Sequence, residues 1–332
     1  MVSPVEVSII VVSYNTKAMT LACLASVRAE TRASFELIVV DNASSDGSAE
    51  AIAAADPEAV IIPSRENLGF ARANNLAARR ARGRYILLLN PDTLVHEGAI
   101  DRLLAFAKAR PAARIWGGRT TFGDGRLNPA SAWGEMTVWN LFCRAAGLTG
   151  LFPRTTLFNG EALGGWDRAS ERDVDIVSGC FFLIERAFWQ QLGGFDSAFF
   201  MYGEEADLCL RARELGARPR VTPEATIVHY GGASETAREA KLVKLLAAKS
   251  MLIRRHWPRG RRLVGLALLS AWPLTRALAT AIAIPLNAGA WRACREWRAV
   301  WRARARWLNG FPIMTSQASL RVTARPGTGG AP

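Results

Sequence analysis

At 332 residues, half of them hydrophobic, the chain can bury a large core, which excludes global disorder and leaves room for one domain of about 220 to 240 residues plus an appendage. Its net charge of +13 is unevenly placed: residues 1–237 carry 24 Lys and Arg against 27 Asp and Glu, whereas 238–310 carry 16 against 2. The five scattered cysteines (Cys23, Cys143, Cys180, Cys209, Cys294) include no C-x-x-C pair, which excludes a zinc cluster or disulfide framework and suits small buried residues in a reducing compartment.

Residues 7–12 form a β-branched run that predicts a strand buried on both faces of a parallel sheet; no basic stretch precedes it, so no signal peptide is expected. A helix is predicted over 16–28 from the spacing of Met19, Leu21, Leu24 and Val27. The next strand, 35–40, runs into Asp41 through Gly47, a series of turn and helix-capping residues. A helix over 49–55, a strand over 60–62, a helix near 70–81 and a strand over 85–89 complete the pattern. This alternation predicts an α/β, doubly wound sheet, whose ligands bind beyond the carboxyl ends of the strands. Tyr14-Asn15, Asp41-Asn42 and Asn90 through Asp92 all fall at such ends.

Residues 110–175, rich in Gly, Trp and Arg, read as a loop-rich acceptor region. A strand over 174–184 is broken by Ser178-Gly179-Cys180, a helix over 204–214 opens on acidic residues, and 227–229 ends a short strand. The organisation expected is a catalytic unit over 1–237, a basic helical region over 238–310, and a disordered tail over 311–332, which has Pro, Gly, Ser and Thr without periodicity.

Several of these positions carry chemistry, each with a plainer reading beside it. Asp41 can accept a ring N–H of a nucleobase, or simply form a turn. Asp92 offers hard oxygen to a divalent cation, yet Asn-Pro-Asp-Thr is also a good turn sequence. Glu204, Glu205 and Asp207 crowd three carboxylates into a first helical turn, where the dipole alone favours them; a general base for an acceptor hydroxyl is the functional alternative. His229, one of three histidines, is either structural or a metal ligand. The G-x-G-x-x-G of a dinucleotide oxidoreductase and a P-loop are both missing after the first strand, since the first glycine is Gly47.

Taken in order, the segments Val11-Val12-Ser13-Tyr14-Asn15, Val39 through Ser48, Glu66 through Ala71 and Leu88 through Thr93 resemble glycosyltransferase family 2, in its rhamnosyltransferase-like bacterial branch. Ser178 through Phe181, Gly193 through Asp196, Glu204 through Leu208 and His229 through Ser234 extend the likeness, which covers about residues 5–255. The resemblance implies the inverting GT-A fold, a nucleotide-sugar donor and a Mg²⁺ or Mn²⁺ cofactor. It further implies nucleotide contacts at Ser13, Asn15, Asp41, Asn67 and Gly69, metal ligands at Asp92 and His229, and Gly179 and Asp207 as acceptor-side or structural support. Asn90 replaces the first Asp of the family's D-x-D. The base falls on Glu205, where the family has Asp, which makes Glu204 a rival. Gly203 stands where the family often has a bulky residue and is expected to leave extra acceptor room.

The uncharged runs within the appendage, 263–275 and 277–291, are both short of the ~20 residues needed to span a bilayer. Basic helices with interleaved tryptophan are expected to lie on an anionic membrane, at the cytoplasmic face, bringing the enzyme to a polyprenyl-linked or cell-surface glycan acceptor; a soluble helical hairpin packed on the catalytic unit and a tilted or re-entrant span are the alternatives. No nucleic-acid module accompanies the charge, so no nucleic-acid partner is expected. The competing function is a non-catalytic nucleotide-sugar-binding scaffold at the membrane.

Overall fold

A computed structural model of the chain describes residues 5–231, 238–286 and 288–312. In chain order come β1 (Val7–Ser13), α1 (Lys17–Glu30), β2 (Phe35–Asp41), α2 (Ser48–Ala55), β3 (Val60–Pro63), α3 (Gly69–Ala78) and β4 (Tyr85–Leu89), all close to the bounds expected. Next are β5 (Thr93–Val95), α4 (Ala99–Ala109), β6 (Ile115–Thr121), β7 (Leu127–Asn128), β8 (Ala132–Trp133), α5 (Val138–Ala146) and α6 (Leu148–Leu151). Then follow β9 (Arg172–Asp173), β10 (Ile176–Val177), β11 (Phe181–Glu185), α7 (Arg186–Leu192), α8 (Glu204–Glu214) and β12 (Arg220–His229). The C-terminal helices are α9 (Arg238–His256), α10 (Arg259–Ala283), α11 (Ala288–Arg302) and α12 (Arg304–Leu308).

The main sheet has the order β3-β2-β1-β4-β11-β6-β12-β5. The first four strands are parallel, β11 runs antiparallel between β4 and β6, and β12 returns parallel to β6. It is therefore a mixed, mostly parallel sheet. The central strands β1, β2, β4 and β11 are mostly apolar because both faces are covered. Ile10, Ile38 and Leu88 point into one core, Ile9, Val39 and Leu87 into the other. The order in which strands are added reverses between the parallel neighbours β1 and β4, and the crevice beyond their carboxyl ends is where ligands of such sheets lie.

Two expectations are refined. The region 110–175 is rich in loop, as expected, but it also supplies β6, a strand inside the sheet. Its pattern is interrupted by Gly117 and Gly118; a Cβ on Gly118 would lie 2.0 Å from the Ala225 carbonyl oxygen, so the close pass of β12 requires glycine there. The two uncharged runs 263–275 and 277–291 are not two separate helical pieces at their junction, since the helix continues through Pro273 and Arg276. α10 runs unbroken for 25 residues and is, among the described residues, the one helix long and apolar enough to cross a membrane by length and composition.

The helices of 238–310 share a core with the sheet. Leu246, Ile253, Trp257, Leu269, Trp272, Val300 and Trp307 belong to the same buried cluster as Ile10 and Phe182. The boundary expected at 237 adjoins residues 232–237, and the tail from 313 onward likewise lies outside the described residues.

Candidate active site

One cavity of about 710 Å³ opens at the carboxyl ends of β1 and β4 and continues between α8, α9 and the 133–161 segment. Asn67, Asp92, Gly179, Glu204, Glu205 and His229 line it; Ser13, Asn15, Asp41, Gly69 and Asp207 do not.

Asp92 and His229 meet through strand pairing. β4 stops before Asn90-Pro91, the chain turns, and β5 pairs antiparallel with the end of β12, setting Thr93 opposite His229. The His229 Nε2 then lies 3.5 Å from Asp92 Oδ1 and 3.4 Å from Asn90 Nδ2, a residue 139 positions earlier. The Tyr230 N–H donates to the Asp92 carbonyl and Asn128 Nδ2 to the His229 carbonyl, which fixes the pair. Burial works against the Asp92 carboxylate, but His229 and the Gly231 N–H hold it below the usual range. Burial likewise lowers the His229 imidazole, and the Cys180 sulfur and Asp92 overcome that, pushing it up to about 10. Nδ1 of His229 is buried without a hydrogen-bond partner.

Across the cavity, Gly203 (φ +112°) lets the chain turn into α8, and its N–H donates to Glu205 Oε2 at 3.1 Å. Burial raises the pKa of Glu205. Burial and the neighbouring Glu205 charge raise that of Glu204 further, to well above the ordinary value. Glu204 is 3% exposed and its Oε2 has no partner. The acceptor room expected at Gly203 is not there: a Cβ would meet Ala248 of α9 at 3.1 Å and the Phe199 ring at 3.3 Å. Asp207 faces away from the cavity, where Arg211 Nε donates to its Oδ2 at 2.8 Å and His256 Nε2 lies 2.9 Å from its Oδ1. It ties α8 to α9 and so supports the acidic turn from behind.

The remaining residues build the β1–β2 rim. The Ser13 hydroxyl is spent within the turn, 3.0 Å from that of Thr20, while Asn15 Oδ1 accepts from the Ser45 N–H at 2.8 Å. Asp41 Oδ2 accepts from the Ser44 N–H, but its Oδ1 is buried and unpartnered. Their neighbours Tyr14 and Asn42 are the ones that reach the cavity. Asn42 Nδ2 donates to Asn67 Oδ1, which also accepts from the Gly69 N–H. Gly69 (φ +75°) passes so close to Phe200 that a Cβ would sit 2.3 Å from its carbonyl oxygen.

A cluster that the sequence reading did not single out lines the deep end. Glu161 lies between Lys249 of α9, with which it makes a direct ion pair, and Arg144 of α5, 3.2 Å away. Only its burial distinguishes Lys249 from the many other cations of its segment. Replacing Lys249 with Met leaves Glu161 a half-compensated buried charge and is expected to cost about 3 kcal/mol. Urea midpoints will show this, and adding Glu161→Gln should recover part of the loss.

The chain is 29% identical over 236 residues to the N-acetylglucosaminyl-diphospho-decaprenol L-rhamnosyltransferase of Mycobacterium tuberculosis, covering 67% of this chain and 75% of the relative. It is 28% identical over 178 residues to the rhamnosyltransferase WbbL of Escherichia coli, covering 49% and 61%. Among solved structures, the mannosyltransferase PcManGT of Pyrobaculum calidifontis, in complex with GDP-Man and Mn²⁺, superposes with a TM-score of 0.57 at 17% identity over 92% of this chain and 89% of that one, which supports the GT-A-like fold. The family model described as Glycosyl transferase family 2 matches residues 8–189, so the chain belongs to that family and is a glycosyltransferase.

Proposed function

We propose that the chain is an inverting transferase that moves a sugar, rhamnose by analogy with its relatives, from a nucleoside-diphosphate donor to a hydroxyl of a lipid-linked or cell-surface glycan. The observation that carries this reading is that Asp92, His229, Glu204 and Glu205 all line one cavity. Glu205, held by the Gly203 N–H, is the base: it takes the acceptor proton as that oxygen attacks the anomeric carbon and the bond to the diphosphate breaks. The unpartnered Asp41 Oδ1 suits a ring N–H of the nucleobase, since a buried acceptor without a donor is otherwise costly. Ser13 and Asn15 shape the nucleotide rim indirectly, and Asn67 and Gly69 hold its far side.

No group of three His, Cys, Asp or Glu side chains suited to a metal occurs among the described residues. Asp92 and His229 nevertheless fit a Mg²⁺ or Mn²⁺, which would have to displace the imidazole proton that the Asp92 carboxylate favours, its other positions being filled by substrate phosphate. When bound, the cation would neutralise charge on the departing diphosphate. The basic surface of 238–310 would hold the enzyme on anionic lipid at the cytoplasmic face, where a polyprenyl-linked acceptor is presented.

Thermal-shift screening with dTDP-, UDP- and GDP-sugars, with and without Mn²⁺, tests the reading. One nucleotide series should raise Tm by several degrees in a Mn²⁺-dependent way, since a ligand at about 100 times its Kd stabilises by about 2.7 kcal/mol. No response to any of the three would remove the donor assignment.

A further inference from the structure

The large apolar side chains left on the outside are not scattered evenly. Trp139, Phe142, Leu151, Phe152 and Leu157 are 43% to 72% exposed and belong to α5, α6 and the loop that follows. Their contacts make them one surface. Trp139 stacks on Phe142 with ring centroids 5.5 Å apart, and Phe158 meets Trp139 at 6.3 Å and Phe152 at 5.0 Å. The Trp139 indole N–H donates to the Leu157 carbonyl at 2.7 Å. A contiguous apolar patch of this kind marks a surface that something covers.

Its neighbours say what the cover is. Between Glu135 and Glu161 the chain has no acidic residue, and of its two arginines Arg144 pairs with Glu161 while Arg154 is exposed. The corner between α5 and α6 rests on α10: Thr275 Oγ1 donates to the Ala145 carbonyl at 2.7 Å and Arg276 Nη2 to the Arg144 carbonyl at 2.8 Å. Beyond that corner α10 exposes Leu278 and Ile282, and α11 exposes Trp291 with the Arg295 guanidinium 5.0 Å from its ring centroid. Exposed rings and aliphatic chains with arginines among them complement anionic headgroups above an acyl layer. The patch is also bracketed by the cavity, which Trp133 through Met136, just before α5, and Glu161, just after Phe158, both line.

We propose that the patch over 139–157, together with the outward side chains of α10, inserts into the interfacial layer of an anionic bilayer and sets the deep end of the cavity against it. The proposal rests on the lipid-linked acceptor read above and adds an apolar contact to the electrostatic one of 238–310. A polyprenyl tail then stays in the acyl layer while its headgroup and sugar rise toward Glu205.

The test uses the full chain and co-sedimentation with phosphatidylcholine vesicles, with or without phosphatidylglycerol, at about 50 mM and about 500 mM NaCl, because salt screens the arginine contact and spares the apolar one. Leu151→Ser with Leu157→Ser alters the two most exposed side chains of the patch, at 72% and 59%. The expected result is wild-type retention that persists in part at high salt, and a double variant that loses about tenfold of it with its nucleotide-dependent thermal shift unchanged. Equal retention of both proteins at high salt overturns the proposal. So does a wild-type dimer that the substitutions dissociate without changing vesicle retention, which would assign the patch to a second copy of the chain. Retention is measured without donor or acceptor, so a failure here is distinct from a failure of the proposed reaction.

Discussion

Glu205→Gln is expected to lower transfer by about a hundred- to ten-thousand-fold, the usual range for loss of a general base, while the donor still binds. The amide keeps the shape of the side chain and can accept the Gly203 N–H, so what is lost is the capacity to take a proton. Glu204→Gln should instead retain most of the activity. Burial raises both glutamates, but Glu204 Oε2 is buried with no donor to favour its charge, whereas Glu205 accepts the Gly203 N–H, so glutamine at 204 removes no group placed to take the acceptor proton. The pH profile of kcat/KM supplies the sign. A base must be ionised, and burial raises the Glu205 pKa above its ordinary 4.5, so activity is present at higher pH and falls as pH drops through that raised value. Glu204→Gln should leave this acid limb in place. An inactive Glu204→Gln beside an active Glu205→Gln would exchange the two roles.

Asp92→Ala is expected to reduce transfer by about a thousandfold, equivalent to about 4 kcal/mol of transition-state stabilisation. The substitution removes one of the two cavity-facing side chains assigned to the cation and leaves His229 without its carboxylate. The Mn²⁺-dependent part of the thermal shift given by a nucleoside diphosphate should disappear. A nucleoside without phosphate should bind wild type and variant alike, because the Asp41 side of the rim is untouched. Undiminished Mn²⁺ dependence in the variant would remove Asp92 from the cation site.

The parts of the fold legible in the sequence are those whose burial is simple. β1, β2 and β4 are covered on both faces and therefore read as continuous apolar runs. β5 has three residues, too few to show a period, and β12 begins seven residues before the stretch expected of it. β6 was hidden by the glycines that let β12 approach. At the site, Asp92, His229 and Glu205 could be ordered by motif, but the meeting of Asp92 with His229 needed the β5–β12 pairing, which no local pattern encodes. Lys249 was obscured for a different reason: within a cationic run its charge looks like solvated surface, and only packing shows it buried against Glu161. Gly203 misled because a missing side chain reads as space, whereas here it admits a neighbouring helix.

The dependence of the Asp92–His229 pair on β12 bears on how the protein is made. β5 leaves the ribosome early but pairs with β12 alone, a segment delivered more than a hundred residues later. Until then its hydrogen-bonding edge has no native mate, and closing so long a loop is slow relative to local helix formation. The nascent chain therefore lacks the Asp92–His229 pair, and this corner of the enzyme matures only as the final strand docks.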